Sequence, residues 1–217
     1  VITASYGPVV QNVTVTVADG RFWYSLGNGL GNGQDNNWYL DGNGASVVSS
    51  DGKKTIVQMG SGYRGDLWLA RSGKGKVVNV TPADYRYFAI KVGFKSQLVP
   101  GKNKPNGCIK LEIFDDGIKK IGPEYFGTGG DANNRYEILG ASEISTTEPN
   151  VLYYDLQSKY KTVTPTDWNQ VFDLAQCKFV IADFPETAQT YDLYWIRSFK
   201  SIEELQAFVD SENNTNE

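Results

Sequence analysis

The sequence predicts an all-β fold: a β-sandwich of the jelly-roll kind, with one short C-terminal α-helix. Three observations predict it. About a dozen short runs alternate apolar and polar residues with period two. Turn dipeptides punctuate them, among them Asp19-Gly20, Asp41-Gly42, Asp51-Gly52 and Asp116-Gly117. Helical spacing of apolar residues occurs once, near the C-terminus. Many short strands with frequent turns are the signature of a sandwich or barrel rather than of alternating β and α units.

The elements follow in order. Val13 to Val17 alternates strictly and turns at Asp19-Gly20 into Arg21 to Leu26. Within that run Phe22 and Tyr24 share one face and Trp23 takes the other. Gly27 to Asn37 is a loop rich in glycine and asparagine. Trp38 to Leu40, Ala45 to Ser49 and Thr55 to Met59 are short strands, followed by Leu67 to Ala70 and Lys76 to Val80. In Arg86 to Phe94, residues Phe88, Ile90, Val92 and Phe94 face one way while Tyr87, Ala89 and Lys91 face the other, the mark of a half-buried strand. Ile109, Leu111 and Ile113 repeat that alternation, and Val151 to Leu156, Lys178 to Ala182 and Tyr191 to Ile196 complete the set. Ser201-Ile-Glu-Glu204 is a capping box, and Ile202, Leu205, Phe208 and Val209 recur at helical spacing behind it. That helix is expected to close an end of the sandwich.

Three segments result. Residues 1–19 read as an N-terminal strand or the stub of a preceding domain, 20–210 as the sandwich, and the polar tail 211–217 as disordered. The chain starts at Val1 with no charged and then apolar leader, which reads as a mature product or a piece of a longer chain. No apolar run approaches the length of a membrane span. Cys108 and Cys177 both lie in strand-like runs. Two buried free thiols are expected, with a disulfide between strands left open.

Composition narrows the function. Aromatic residues make up 13% of the chain (13 Tyr, 10 Phe, 5 Trp), and there is no histidine. Histidine-dependent catalysis and histidine-ligated metals are thereby excluded. The net charge is -4, with Lys and Arg scattered rather than striped, so a nucleic-acid partner is not expected. Several Trp and Tyr stand in or beside Gly/Asn/Asp-rich loops, where a ring meets solvent. A sugar ring is the commonest ligand for such a platform. Half covered by one pyranose, a ring hides on the order of 80 Å² of apolar surface, a contribution of roughly 2 kcal/mol.

Two runs carry a resemblance. Trp38 to Met59 resembles the opening of jelly-roll carbohydrate-binding modules, and Tyr63-Arg-Gly-Asp-Leu67 fits the strand that follows. Phe179-Val-Ile-Ala-Asp-Phe-Pro-Glu-Thr187 and Tyr191-Asp-Leu-Tyr-Trp-Ile-Arg-Ser-Phe-Lys-Ser-Ile-Glu-Glu-Leu-Gln-Ala-Phe208 are similar to the C-terminal signature of modules in Bacteroidetes outer-surface glycan-binding lipoproteins and glycanases. The resemblance spans roughly residues 20 to 210. It implies a non-catalytic module that captures polysaccharide at the cell surface, exported to the outer membrane beside a SusC/SusD-type importer. It implies no particular sugar and brings no binding residue with it.

Candidate carbohydrate-binding residues are read from the chain itself. Trp23 precedes the glycine-rich loop and Trp38 follows it. Tyr63 and Arg64 sit at a loop edge, where the guanidinium offers donors to hydroxyls, although stacking on Tyr63 and pairing with Asp66 would account for the same arginine. Tyr125 and Trp168 lie in loop-like sequence, whereas Trp68 and Trp195, flanked by Leu and Ile, read as core. Packing is the competing role for each candidate. No cofactor is expected. Asp131-Ala-Asn133-Asn134 and Asp35-Asn36-Asn37 offer oxygens of the kind a structural Ca2+ takes, but without EF-hand spacing, and turn chemistry explains them equally. The sequons at Asn12, Asn79 and Asn213 would be chance matches in a bacterial protein of the kind the resemblance implies.

Two rival functions remain. A glycoside hydrolase needs a carboxylate pair at a defined separation, and Glu112-Ile-Phe-Asp115-Asp116 lacks the Glu-x-Asp-x-x-Glu spacing of laminarinase-type jelly rolls. A polysaccharide lyase would have to use Tyr63 and Arg64 without histidine. The other rival is a structural or protein-binding β domain whose aromatics all fill the core.

Overall fold

The Tyr87–Phe94 strand shows why this chain forms layers. Phe88, Ile90, Val92 and Phe94 are buried together on one side, as their alternation predicts, and Ala89 is buried on the other. A strand apolar on both faces needs cover on both. The computed structural model describes residues 2–6, 9–13, 20–32, 36–41, 44–60, 65–71, 74–75, 78–97, 109–115, 136–157, 172–181 and 189–214.

The described strands, in chain order, are β1 (Ile2–Tyr6), β2 (Val9–Val13), β3 (Trp23–Ser25), β4 (Tyr39–Asp41), β5 (Ser46–Ser50), β6 (Thr55–Gln58), β7 (Gly65–Arg71), β8 (Lys74–Gly75), β9 (Val78–Val80), β10 (Tyr87–Phe94), β11 (Ile109–Asp115), β12 (Glu137–Ile138), β13 (Asn150–Asp155), β14 (Phe172–Ile181) and β15 (Thr190–Phe199), followed by helix α1 (Ile202–Asn214). They form two large antiparallel sheets, an all-β sandwich. The first has seven strands in the order β12-β13-β10-β15-β6-β5, with β3 also on β15. The second has six, in the order β11-β14-β7-β4, with β8 on β7 and β9 on β14. β1 and β2 pair with each other as a separate hairpin.

The inner faces of both sheets meet in one core. Val57, Leu152, Tyr154, Leu193 and Ile196 come from the first sheet, and Leu67, Leu69, Leu111, Cys177, Phe179 and Ile181 from the second. Phe179 links the layers, with its ring 5.6 Å from that of Tyr154 and 5.7 Å from that of Trp38. Burial pushes the Cys177 thiol pKa up, so it is a packing group rather than a nucleophile, and Cys108 lies outside the described residues.

β15 is the central strand of the first sheet, and it is irregular. Lys91 pairs with Trp195 but Val92 pairs with Leu193, so Tyr194 is an extra residue in the strand. Before it, Tyr191 and Leu193 point into the core. After it, Ile196 points in, while Trp195 and Phe199 join the outer cluster with Ala89 and Val151.

Helix α1 covers that outer cluster through Leu205, Phe208 and Val209. It therefore lies on the face of the first sheet and does not close an end of the sandwich. Ser201 Oγ accepts the Glu204 N–H at 3.2 Å, and Glu204 Oε2 accepts the Lys200 N–H at 2.7 Å, which realises the expected cap. The helix also runs to Asn214, past the point where a disordered tail was expected. Glu212 explains the extra turn: its Oε2 accepts from Trp195 Nε1 at 3.0 Å and from Lys91 Nζ at 3.1 Å, tying the last turn to the sheet.

Burial of phenols sets an alkaline limit on the fold. Desolvation pushes the Tyr24 pKa up to about 12 and raises that of Tyr191 as well. A raised folded-state pKa contributes stability that is complete below the ordinary tyrosine value and is lost as pH climbs through the folded one. Melting temperature should hold from neutral pH to about pH 10 and then fall, with roughly 3 kcal/mol lost by about pH 12 from Tyr24 alone. Melts followed by circular dichroism and by tyrosinate absorbance check this. Free titration of every tyrosine near pH 10 with the fold intact would contradict it.

Candidate functional site

The glycine-rich loop after β3 is held from within. Asn36 is buried, and its Nδ2 donates to the carbonyls of Ser25 and Gly29, both at 2.9 Å. Its Oδ1 accepts from the N–H groups of Gly31 at 3.0 Å and Trp38 at 3.1 Å. The loop is also bonded to the β5–β6 turn, where Gly52 N–H donates to the Gly27 carbonyl at 3.0 Å. A side chain at Gly27 would run into the Gly52–Lys53 backbone, so that approach requires glycine. Asn36 is thus the hub of its loop, with its Oδ1 committed to two backbone N–H groups.

The candidates separate clearly. Trp38 is 0% exposed, packed against Tyr24 and Phe179, and offers no face to a ligand. Its place as a binding residue is corrected: in the run Trp38 to Leu40 it turns inward to fill the space between the sheets. Trp68 and Trp195 are buried, as read from their flanks. Tyr63, Arg64, Tyr125 and Trp168 lie outside the described residues, as do Asp131, Asn133 and Asn134. Trp23 is 42% exposed, while its neighbour Phe22 is buried, as the alternation of that run predicts.

Trp23 stands at the rim of the outer aromatic cluster. Its ring meets Phe208 at 5.4 Å and Phe199 at 6.0 Å, both edge to face. Two guanidiniums lie over it: Arg21 with Cζ 3.9 Å from the ring centroid, and Arg197 at 4.2 Å. Sheet register brings the second one there, because Arg197 on β15 pairs directly with Trp23 on β3. Arg197 also lies 4.3 Å from Phe208 and 5.5 Å from Trp195. Its Nε is buried without a hydrogen-bond partner, and among the described residues no carboxylate forms an ion pair with it. Burial, with Arg21 adding to it, holds its pKa below the usual arginine value, and Glu212 offsets this in part.

Arg21 was legible in sequence, since period two places it on the Trp23 side. Arg197 was not, because Tyr194 changes the phase of the strand before it. A second polar cluster, also on β15, differs in kind. Asp192 Oδ2 accepts from Lys54 Nζ at 2.7 Å and Lys95 Nζ at 3.0 Å, so these charges answer one another.

Among the described residues, no three His, Cys, Asp or Glu side chains gather to hold a metal, and no helix is long and apolar enough to cross a membrane. A family model described as "Domain of unknown function (DUF4979)" matches residues 26–205. No curated protein and no solved structure matches the chain.

Proposed function

The chain belongs to the DUF4979 family, and from the surface it presents we propose that it is a non-catalytic carbohydrate-binding module that captures a polysaccharide or oligosaccharide. The exposed Trp23 carries this reading. A large ring left 42% open on a sheet face, beside two guanidiniums rich in donors, supplies what a sugar needs: an apolar plane for its C–H face and hydrogen bonds for its hydroxyls. Arg21 is exposed and is the guanidinium a ligand would displace, whereas Arg197 is anchored among rings. The resemblance of the C-terminal run to surface glycan-binding lipoproteins supports the same reading and extends it to a place at the bacterial outer surface.

Affinity gels containing xylan, mannan, glucan or pectin test the proposal. Retardation by at least one is expected, and Trp23→Ala should weaken it about 30-fold, roughly the 2 kcal/mol of one stacked ring, with the melting temperature little changed. A second reading, a protein-binding or spacer β domain, draws on Val47 and Val48, 44% and 55% exposed on the edge strand β5. Absence of retardation in every gel would favour it.

A further inference from the structure

We propose that the surface around Trp23 takes a carboxylate-bearing glycan, a polyuronate, with Arg197 as the fork that receives the carboxylate. The inference rests on the carbohydrate-binding reading above and names the ligand class.

The geometry of Arg197 carries it. Three rings, those of Trp23, Phe208 and Trp195, surround its guanidinium at 4.2, 4.3 and 5.5 Å. Rings engage the faces of a guanidinium, but its five donors lie in the plane and require acceptors there. Nε has none. Glu212, the carboxylate whose charge Arg197 feels, already has Oε2 committed to Trp195 Nε1 and Lys91 Nζ. A partly desolvated cation is ordinarily matched by an anion, and among the described residues no carboxylate forms an ion pair with this one, Glu212 acting on it only from a distance.

Arg21 strengthens the case. It places a second positive charge on the same ring, and the two guanidiniums oppose each other's charge. An arriving carboxylate relieves that repulsion and accepts from the Nη groups of Arg197, which, unlike Nε, are not buried. The chain as a whole carries a net charge of -4, so no general positive field gathers polyanions here, and attraction has to come from this pair. A uronate has both required parts on one ring, a C–H face for Trp23 and a planar carboxylate for Arg197.

The test uses the whole chain in affinity gels and calorimetry against polygalacturonate, its methyl ester, a neutral glucan and dextran sulfate. Polygalacturonate should bind about tenfold or more tighter than the ester, the scale of one charge-assisted pair. Arg197→Gln should abolish that preference and Arg197→Lys should restore only part of it, with melting temperatures confirming that both variants fold. Equal binding of acid and ester, or polygalacturonate binding indifferent to Arg197→Gln, would overturn the inference and leave the carbohydrate-binding reading intact. Dextran sulfate bound as tightly as polygalacturonate, by wild type and Arg197→Gln alike, would reduce it to ion exchange and also overturn it. Binding of no glycan would overturn both.

Discussion

Replacing Trp38 by alanine should destabilise the fold by about 4 kcal/mol, the scale of emptying a fully buried tryptophan site, and lower the melting temperature by about 10 °C. Trp38 is 0% exposed and touches both layers, reaching Tyr24 from the first sheet at 6.0 Å and Phe179 from the second at 5.7 Å. The void left by alanine would sit between sheets whose strands are fixed by their ladders, so little collapse can fill it. Trp38→Phe should cost under about 2 kcal/mol. Trp38 Nε1 is buried without an acceptor, so phenylalanine loses some contact area but removes an unmet donor. Chemical denaturation of the two variants checks the contrast. Equal losses would show that the indole nitrogen is satisfied in solution.

Lys178→Met should be comparably severe, at about 4 kcal/mol near neutral pH. Lys178 Nζ lies 3.2 Å from Asp66 Oδ2, both side chains are buried, and the ammonium also lies 4.5 Å from the Trp68 ring centroid. Removing the lysine takes a counter-charge from the buried Asp66 carboxylate and so raises its folded pKa relative to the parent chain. That rise means the deficit is greatest at neutral pH and shrinks as pH falls towards the ordinary aspartate range. The double variant Asp66→Asn/Lys178→Met should recover part of the loss, since the buried carboxylate is gone as well. Denaturant midpoints across pH read both effects, and a deficit independent of pH would point to lost packing instead.

The fold was largely legible, because apolar and polar residues alternate along several strands and turn dipeptides separate them. The alternation in Phe88 to Phe94 predicted the core side of β10, and that in Phe22 to Tyr24 placed Trp23 on the face opposite Phe22 without saying which face is open. Ser201 and Glu204 marked the helix start. The helix end was not legible, because the contacts that hold it are made by Glu212 to Lys91 and Trp195, residues remote in sequence. Trp38 shows the same limit from the other side. A tryptophan next to a polar loop looks exposed until the loop is known to fold on Asn36 and direct the next residues inward. Of the proposed binding surface, period two puts Trp23 and Arg21 on one side, and Arg197 required the sheet register.

That register has a further consequence. Tyr194 acts on β15 as a one-residue frameshift acts on a reading frame: odd positions face the core between the sheets before it and the helix side after it. A relative lacking this insertion, with every other residue unchanged, would present Ile196 to the helix and turn Trp195 and Arg197 towards the sandwich interior. The proposed ligand surface and the core are therefore written in two phases of one strand, and comparison of such chains by aligned residue identity has to be split at Tyr194.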